Sequence, residues 1–130
     1  MEISSAPKTI LVVDDDPDIR DYASCVLEDC GYSVLTAPDG ATALLMLRNR
    51  TPIDVLFTDI VMPGLDGVEV ARRALQQVPG LKVLFASGYA PGLGPVSPLL
   101  KKPYRAHQLA REIALVLSKY DGSQITKVSR

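Results

Sequence analysis

Residues 55–67, Val-Leu-Phe-Thr-Asp-Ile-Val-Met-Pro-Gly-Leu-Asp-Gly, constrain the fold of this chain more than any other stretch. The apolar run Val55, Leu56, Phe57 reads as a strand buried on both faces. It stops at a lone carboxylate, Asp59. A turn-rich segment with Pro63, Gly64 and Gly67 follows, and a helical pattern begins after it. In an open parallel sheet, ligands sit just beyond the carboxyl ends of the strands. Asp59 therefore stands where a reacting group would stand. A turn or capping aspartate is the bland alternative, and the rest of the sequence decides between the two.

The same alternation of strand and helix recurs along the chain. Residues 9–13 form an apolar run that ends in Asp14-Asp15-Asp16. Pro17 suits the first turn of a helix. Ile19, Tyr22, Ala23, Val26, Leu27 and Cys30 then recur at helical spacing, one face inward. Gly31 is a helix terminator. Residues 32–36 read as a second strand, 38–40 as a turn, and Ala43, Leu44 and Leu47 as the stripe of a second helix. The third strand is expected over 53–58, the third helix on Val68, Ala71, Leu75 and Val78, and the fourth strand over 81–86. Residues 89–98 carry Pro91, Gly92, Gly94, Pro95 and Pro98, so no long helix fits there. A weak fifth strand is expected within 96–100, before Lys101-Lys102-Pro103. Leu109, Ile113, Val116, Leu117 and Tyr120 mark a last helix.

This pattern predicts an α/β fold, a three-layer doubly wound sandwich around a parallel sheet. At 130 residues the chain is one domain with a real core. We expect an N-terminal extension over 1–7, the domain over 8–120 and a polar tail over 121–130. A net charge of −1 gives no basic field for nucleic acid. No apolar stretch is long enough to span a bilayer, and no signal peptide is visible. Cys25 and Cys30, five apart, match neither a zinc knuckle nor a redox pair. They are expected as reduced thiols on or near a core face of a cytoplasmic protein.

Four strands thus end in polar groups on one rim: Asp14, Asp15 and Asp16, then Asp59, Ser87 and Lys102. Two like charges ~4 Å apart repel by about 4 kcal/mol at an effective dielectric near 20. A hard divalent cation offsets that repulsion, and Mg2+ favours one or two carboxylates plus waters and phosphate oxygens. It would bridge the acids to an incoming phosphoryl group. Lys102 adds a positive charge, and Ser87 a hydroxyl donor. Asp59 is left as the nucleophile, since a carboxylate can form an acyl phosphate. Asp16 and Asp18 read more simply as first-turn helix acids, Asp66 as a helix N-cap, Lys101 as a solvated lysine, and His107 as a surface or packing residue.

With these motifs in place, the chain resembles the receiver domain of bacterial two-component response regulators. The resemblance covers roughly residues 8–119. Its carriers are Val12-Val13-Asp14-Asp15-Asp16, Asp59 through Met62-Pro63 to Asp66-Gly67, Phe85-Ala86-Ser87-Gly88, and Lys102-Pro103. It implies a flavodoxin-like five-stranded parallel sheet of order 2-1-3-4-5. It implies that Asp59 accepts a phosphoryl group from the phosphohistidine of a sensor histidine kinase, hybrid or not. Asp15 would bind Mg2+ directly and Asp14 through water, with the Val61 backbone carbonyl as a further ligand. Ser87 and Lys102 would hold the phosphoryl group, and the Lys102-Pro103 bond would be cis. It also implies a switch that assists its own phosphorylation and dephosphorylation, acts on no external substrate, and signals through a downstream protein partner. A monomer or weak dimer is expected.

Two departures stand out. Ser87 and Lys102 are only 15 apart, so the fourth helix of the family is expected to be short or missing. Three residues before the lysine, where the family often has Tyr or Phe, this chain has Leu99; Tyr89 and Tyr104 are the aromatics left to substitute. A haloacid-dehalogenase-type phosphatase would place its nucleophile at Asp14 and leave Met62-Pro63 and Lys102-Pro103 without a role. A flavodoxin-like cofactor binder is disfavoured by three acids where a bound phosphate would lie. A receiver-like binding module that never takes phosphate differs only in its chemistry.

Overall fold

The computed structural model describes residues 6–49, 52–88 and 98–118. The elements are β1 (Thr9–Val13), α1 (Pro17–Asp29), β2 (Ser33–Ala37), α2 (Gly40–Arg48), β3 (Val55–Asp59), α3 (Gly67–Gln77), β4 (Lys82–Ser87), β5 (Leu99–Lys101) and α4 (Ala106–Ser118). All strand pairs are parallel, in the order β2-β1-β3-β4-β5. This is the doubly wound sandwich that the alternation predicts. The expected short or missing helix between β4 and β5 falls on residues 89–97, outside the described residues, as does the whole of the expected tail.

Alternating strand residues feed two cores, because successive side chains point to opposite faces. Leu11, Val13, Leu56, Val83 and Phe85 pack under α2 and α3. Ile10, Val12, Val55, Phe57, Leu84, Ala86 and Leu100 pack under α1 and α4. Burying each large side chain contributes about 1.5–3 kcal/mol. Both faces of β1, β3 and β4 are covered, which is why these strands read as unbroken apolar runs.

Three helices start on aspartate caps, each worth about 1 kcal/mol. Asp16 accepts from the backbone N–H of Asp18 and Ile19, Asp39 from Thr42, and Asp66 from Glu69. Gly31 follows α1 at φ 96°, a left-handed conformation that favours glycine.

The strands extend one residue further toward the site than the apolar runs suggest. Asp59 pairs with Ala86 and Ser87 with Lys101 in the parallel ladders, so Asp59 and Ser87 close their strands rather than follow them. Backbone pairing is indifferent to side-chain polarity, whereas hydropathy stops at the first polar residue. The reading that puts Cys30 on a core face is corrected here: both thiols are exposed, because Cys30 lies past the last turn of α1. Tyr22 is likewise 44% exposed.

Candidate functional site

Because the strands are parallel, their carboxyl ends share one rim. There the structure brings together Asp14, Asp15, Asp59, Ser87 and Lys102. One carboxylate oxygen from each of the three aspartates lies within 4.8 Å of the others. Asp14 and Asp59 are buried and Asp15 is exposed. The Lys102 ammonium donates to both buried acids, at 2.8 Å from Asp14 Oδ2 and 3.2 Å from Asp59 Oδ2.

The electrostatics follow from burial. Removal from water pushes the Asp59 carboxyl above the usual carboxylate range. The nearby Lys102 charge opposes this shift, and the Asp14 charge adds to it. Burial alone would lower the Lys102 ammonium, but its bonds to the two aspartates outweigh that and raise it. The set is three hard oxygen donors converging from two strand ends, with more negative than positive charge. It fits a hard divalent cation such as Mg2+, which binds through oxygen.

Local structure explains how each group is held. Asp14 Oδ1 accepts the Asp16 N–H at 3.0 Å, and the Asp14 carbonyl accepts from Arg20 Nη1 at 2.8 Å. The Thr58 hydroxyl donates to the Asp59 carbonyl at 2.9 Å. Gly67 packs directly on that carbonyl: a Cβ there would lie 2.1 Å from the Asp59 oxygen. This is why the turn after Asp59 ends in glycine. The Lys102 N–H donates to the Ser87 carbonyl at 2.9 Å, and the Lys102-Pro103 bond is cis. The Ser87 hydroxyl is buried with no hydrogen-bond partner among the described residues.

Other expected residues sit as their simpler readings predict. Asp16 and Asp18 belong to the start of α1, Asp66 caps α3, and Lys101 and His107 are exposed. The Val61 side chain is exposed in the loop after Asp59. Leu99 is 45% exposed on β5. Tyr89 lies outside the described residues.

The sequence reading missed a cavity of about 400 Å³ beside Lys102, lined by Asp18, Ile19, Tyr22, Gly88, Pro103 and Tyr104. Tyr104 packs edge-on against Phe57, with ring centroids 5.8 Å apart, and lies 6.1 Å from the Tyr22 ring. Burial and the nearby Asp14 charge push its phenol pKa upward. The signal available was Tyr104 directly after the rigid Lys102-Pro103 step. Its partners come from α1 and β3, far away in sequence.

A family model of the response regulator receiver domain matches residues 10–92. The response regulator receiver protein CpdR of Brucella abortus (strain 2308) is 40% identical over 117 residues, which span 85% of this chain and 97% of that protein. The sensor kinase CckA of the same organism is 32% identical over 126 residues, 90% of this chain but 13% of the kinase. Among solved structures, a response regulator receiver protein from Sinorhizobium medicae WSM419 superposes with a TM-score of 0.79 at 30% identity, covering 88% of this chain and 98% of that one. The receiver domain of the hybrid histidine kinase CckA gives a TM-score of 0.74 at 35% identity, covering 85% of this chain and 99% of that chain.

Proposed function

Since this chain belongs to the response regulator receiver family, we propose that it works as a Mg2+-dependent phosphoacceptor, with Asp59 taking a phosphoryl group from the phosphohistidine of a sensor histidine kinase. The observation that carries this reading is the convergence of three carboxylates on one point, with Lys102 bonded to two of them. Asp59 is the buried carboxylate that closes the central strand β3, and Lys102 stands ready to pair with a phosphoryl oxygen.

An Asp59 carboxylate oxygen attacks phosphorus in line, forming a P–O bond. The P–N bond breaks and its electron pair leaves with the imidazole. Asp14, Asp15 and Asp59, with the Val61 carbonyl, would hold Mg2+, which would neutralise phosphoryl charge during transfer. Lys102 pairs with one phosphoryl oxygen of the product. Ser87 donates its hydroxyl to another, and this gives a partner to an oxygen that has none among the described residues. Water completes the cycle by hydrolysing the acyl phosphate, so the chain assists its own dephosphorylation and turns over no external substrate. Phosphorylation shifts a two-state equilibrium that a downstream protein reads. The chain acts without membrane or nucleic-acid contact, in the cytoplasm, as a monomer or weak dimer. Among the described residues no helix is long and apolar enough to cross a membrane.

Incubation with acetyl phosphate and Mg2+, followed by intact-mass measurement and peptide mapping, tests the reading. The wild type gains one phosphoryl group on Asp59, and chelation of Mg2+ abolishes the gain. Asp59→Asn gains none. Label on Asp14 would instead favour phosphatase chemistry, and no uptake by the wild type would overturn the proposal.

A further inference from the structure

Arg20 occupies the first turn of α1, where a cation is unfavourable against the positive end of the helix dipole. Acids surround it in sequence at Asp16, Asp18 and Asp21. Among the described residues it forms an ion pair with none of them. Its guanidinium instead turns back to the end of β1 and donates to the Asp14 backbone carbonyl at 2.8 Å. That carbonyl belongs to the peptide plane joining Asp14 to Asp15. Holding this plane, while Asp14 Oδ1 holds the Asp16 N–H on the far side of the residue, limits where the Asp15 side chain leaves the backbone. The other contacts of this turn leave Asp15 alone: Asp14 Oδ1 accepts the Asp16 N–H, and Asp16 caps the helix. Asp15 is the one exposed member of the acidic cluster.

We infer that Arg20 is a positioning residue for the cation site, orienting the Asp15 carboxylate through the Asp14 carbonyl. This rests on the reading of the acidic cluster as a Mg2+ site. Its sign separates it from a plain charge effect. Removing a cation near the acids would, by charge alone, tighten Mg2+ binding. Removing a positioning group weakens it, and loss of such outer partners typically costs about ten-fold or more in metal affinity.

Calorimetric titration of the full chain with MgCl2 alone tests the inference, with folding of each variant checked by circular dichroism. Arg20→Met is expected to weaken Mg2+ binding about ten-fold. Arg20→Lys keeps a donor and falls between Arg20→Met and wild type. In an Asp15→Asn background, Arg20→Met is expected to cause no further loss, because the two act in series. Unchanged or tighter binding by Arg20→Met, or an equal loss in the Asp15→Asn background, overturns the inference and leaves the site reading intact. A wild-type chain that binds no Mg2+ overturns both.

Discussion

The Lys102 ammonium lies 2.8 Å from Asp14 Oδ2, joining a side chain at the end of the edge strand β5 to one at the end of the inner strand β1. It also reaches Asp59 Oδ2 at 3.2 Å, so one cation serves two buried acids. Loss of the lysine would leave both unpaired. Lys102→Met is therefore expected to lower stability by about 3 kcal/mol in metal-free buffer, the cost of stranding a buried charge. Added Mg2+ should recover part of the loss. Urea unfolding with and without Mg2+ measures both effects, and a loss that Mg2+ does not reduce would contradict the arrangement.

Asp59 carries a pH signature of its own. Its carboxyl is raised in the folded chain, by burial first and by the Asp14 charge next. A raised acid contributes stability that is present below the unfolded value, near 3.9, and lost as pH rises through the folded value. The ionised group thus weakens the metal-free fold at neutral pH. Asp59→Asn should melt at a higher temperature than wild type at neutral pH, and the gap should close as pH falls toward the usual carboxylate range. Thermal scans across that window decide, and equal melting temperatures at neutral pH would count against the assignment.

Gly67→Ala would set a methyl group 2.1 Å from the Asp59 carbonyl oxygen and 2.9 Å from the Ile60 Cα, both backbone atoms. We expect a loss of about 1–3 kcal/mol together with slower phosphoryl uptake, since the end of β3 must shift. Gly80→Ala is the control: a Cβ there meets nothing within 4 Å. Chemical denaturation of the two variants should separate them clearly.

The Ser87 hydroxyl gives opposite expectations for the free and phosphorylated forms. Buried without a partner among the described residues, it costs up to about 1–3 kcal/mol in the free form. Ser87→Ala should therefore be slightly more stable than wild type. With a beryllium fluoride acyl-phosphate mimic the order should reverse, because only the wild type has a hydroxyl to donate. Melting curves with and without the mimic test the reversal.

Much of this site was readable before any coordinates. Four of the five strands are short apolar runs cut off by a polar residue, and parallel pairing sends all those ends to one rim. Asp14, Asp15, Asp59, Ser87 and Lys102 could be gathered from that rule alone. Strand lengths were less legible, because Asp59 and Ser87 pair through backbone groups that hydropathy does not register. The contact from Arg20 to the Asp14 carbonyl was invisible for a different reason. A side chain reaching back to main chain leaves no periodic trace. The Tyr22–Tyr104 contact joins a residue of α1 to the turn before α4, a pairing set by packing across one face of the sheet.

The backbone bonds from Phe85 to the Pro98 carbonyl and from Lys102 to the Ser87 carbonyl clamp both ends of the β4–β5 connection. The second of these bonds ties the main chain of the lysine to that of the serine, so a shift of the sheet edge carries both groups together and leaves their spacing unchanged.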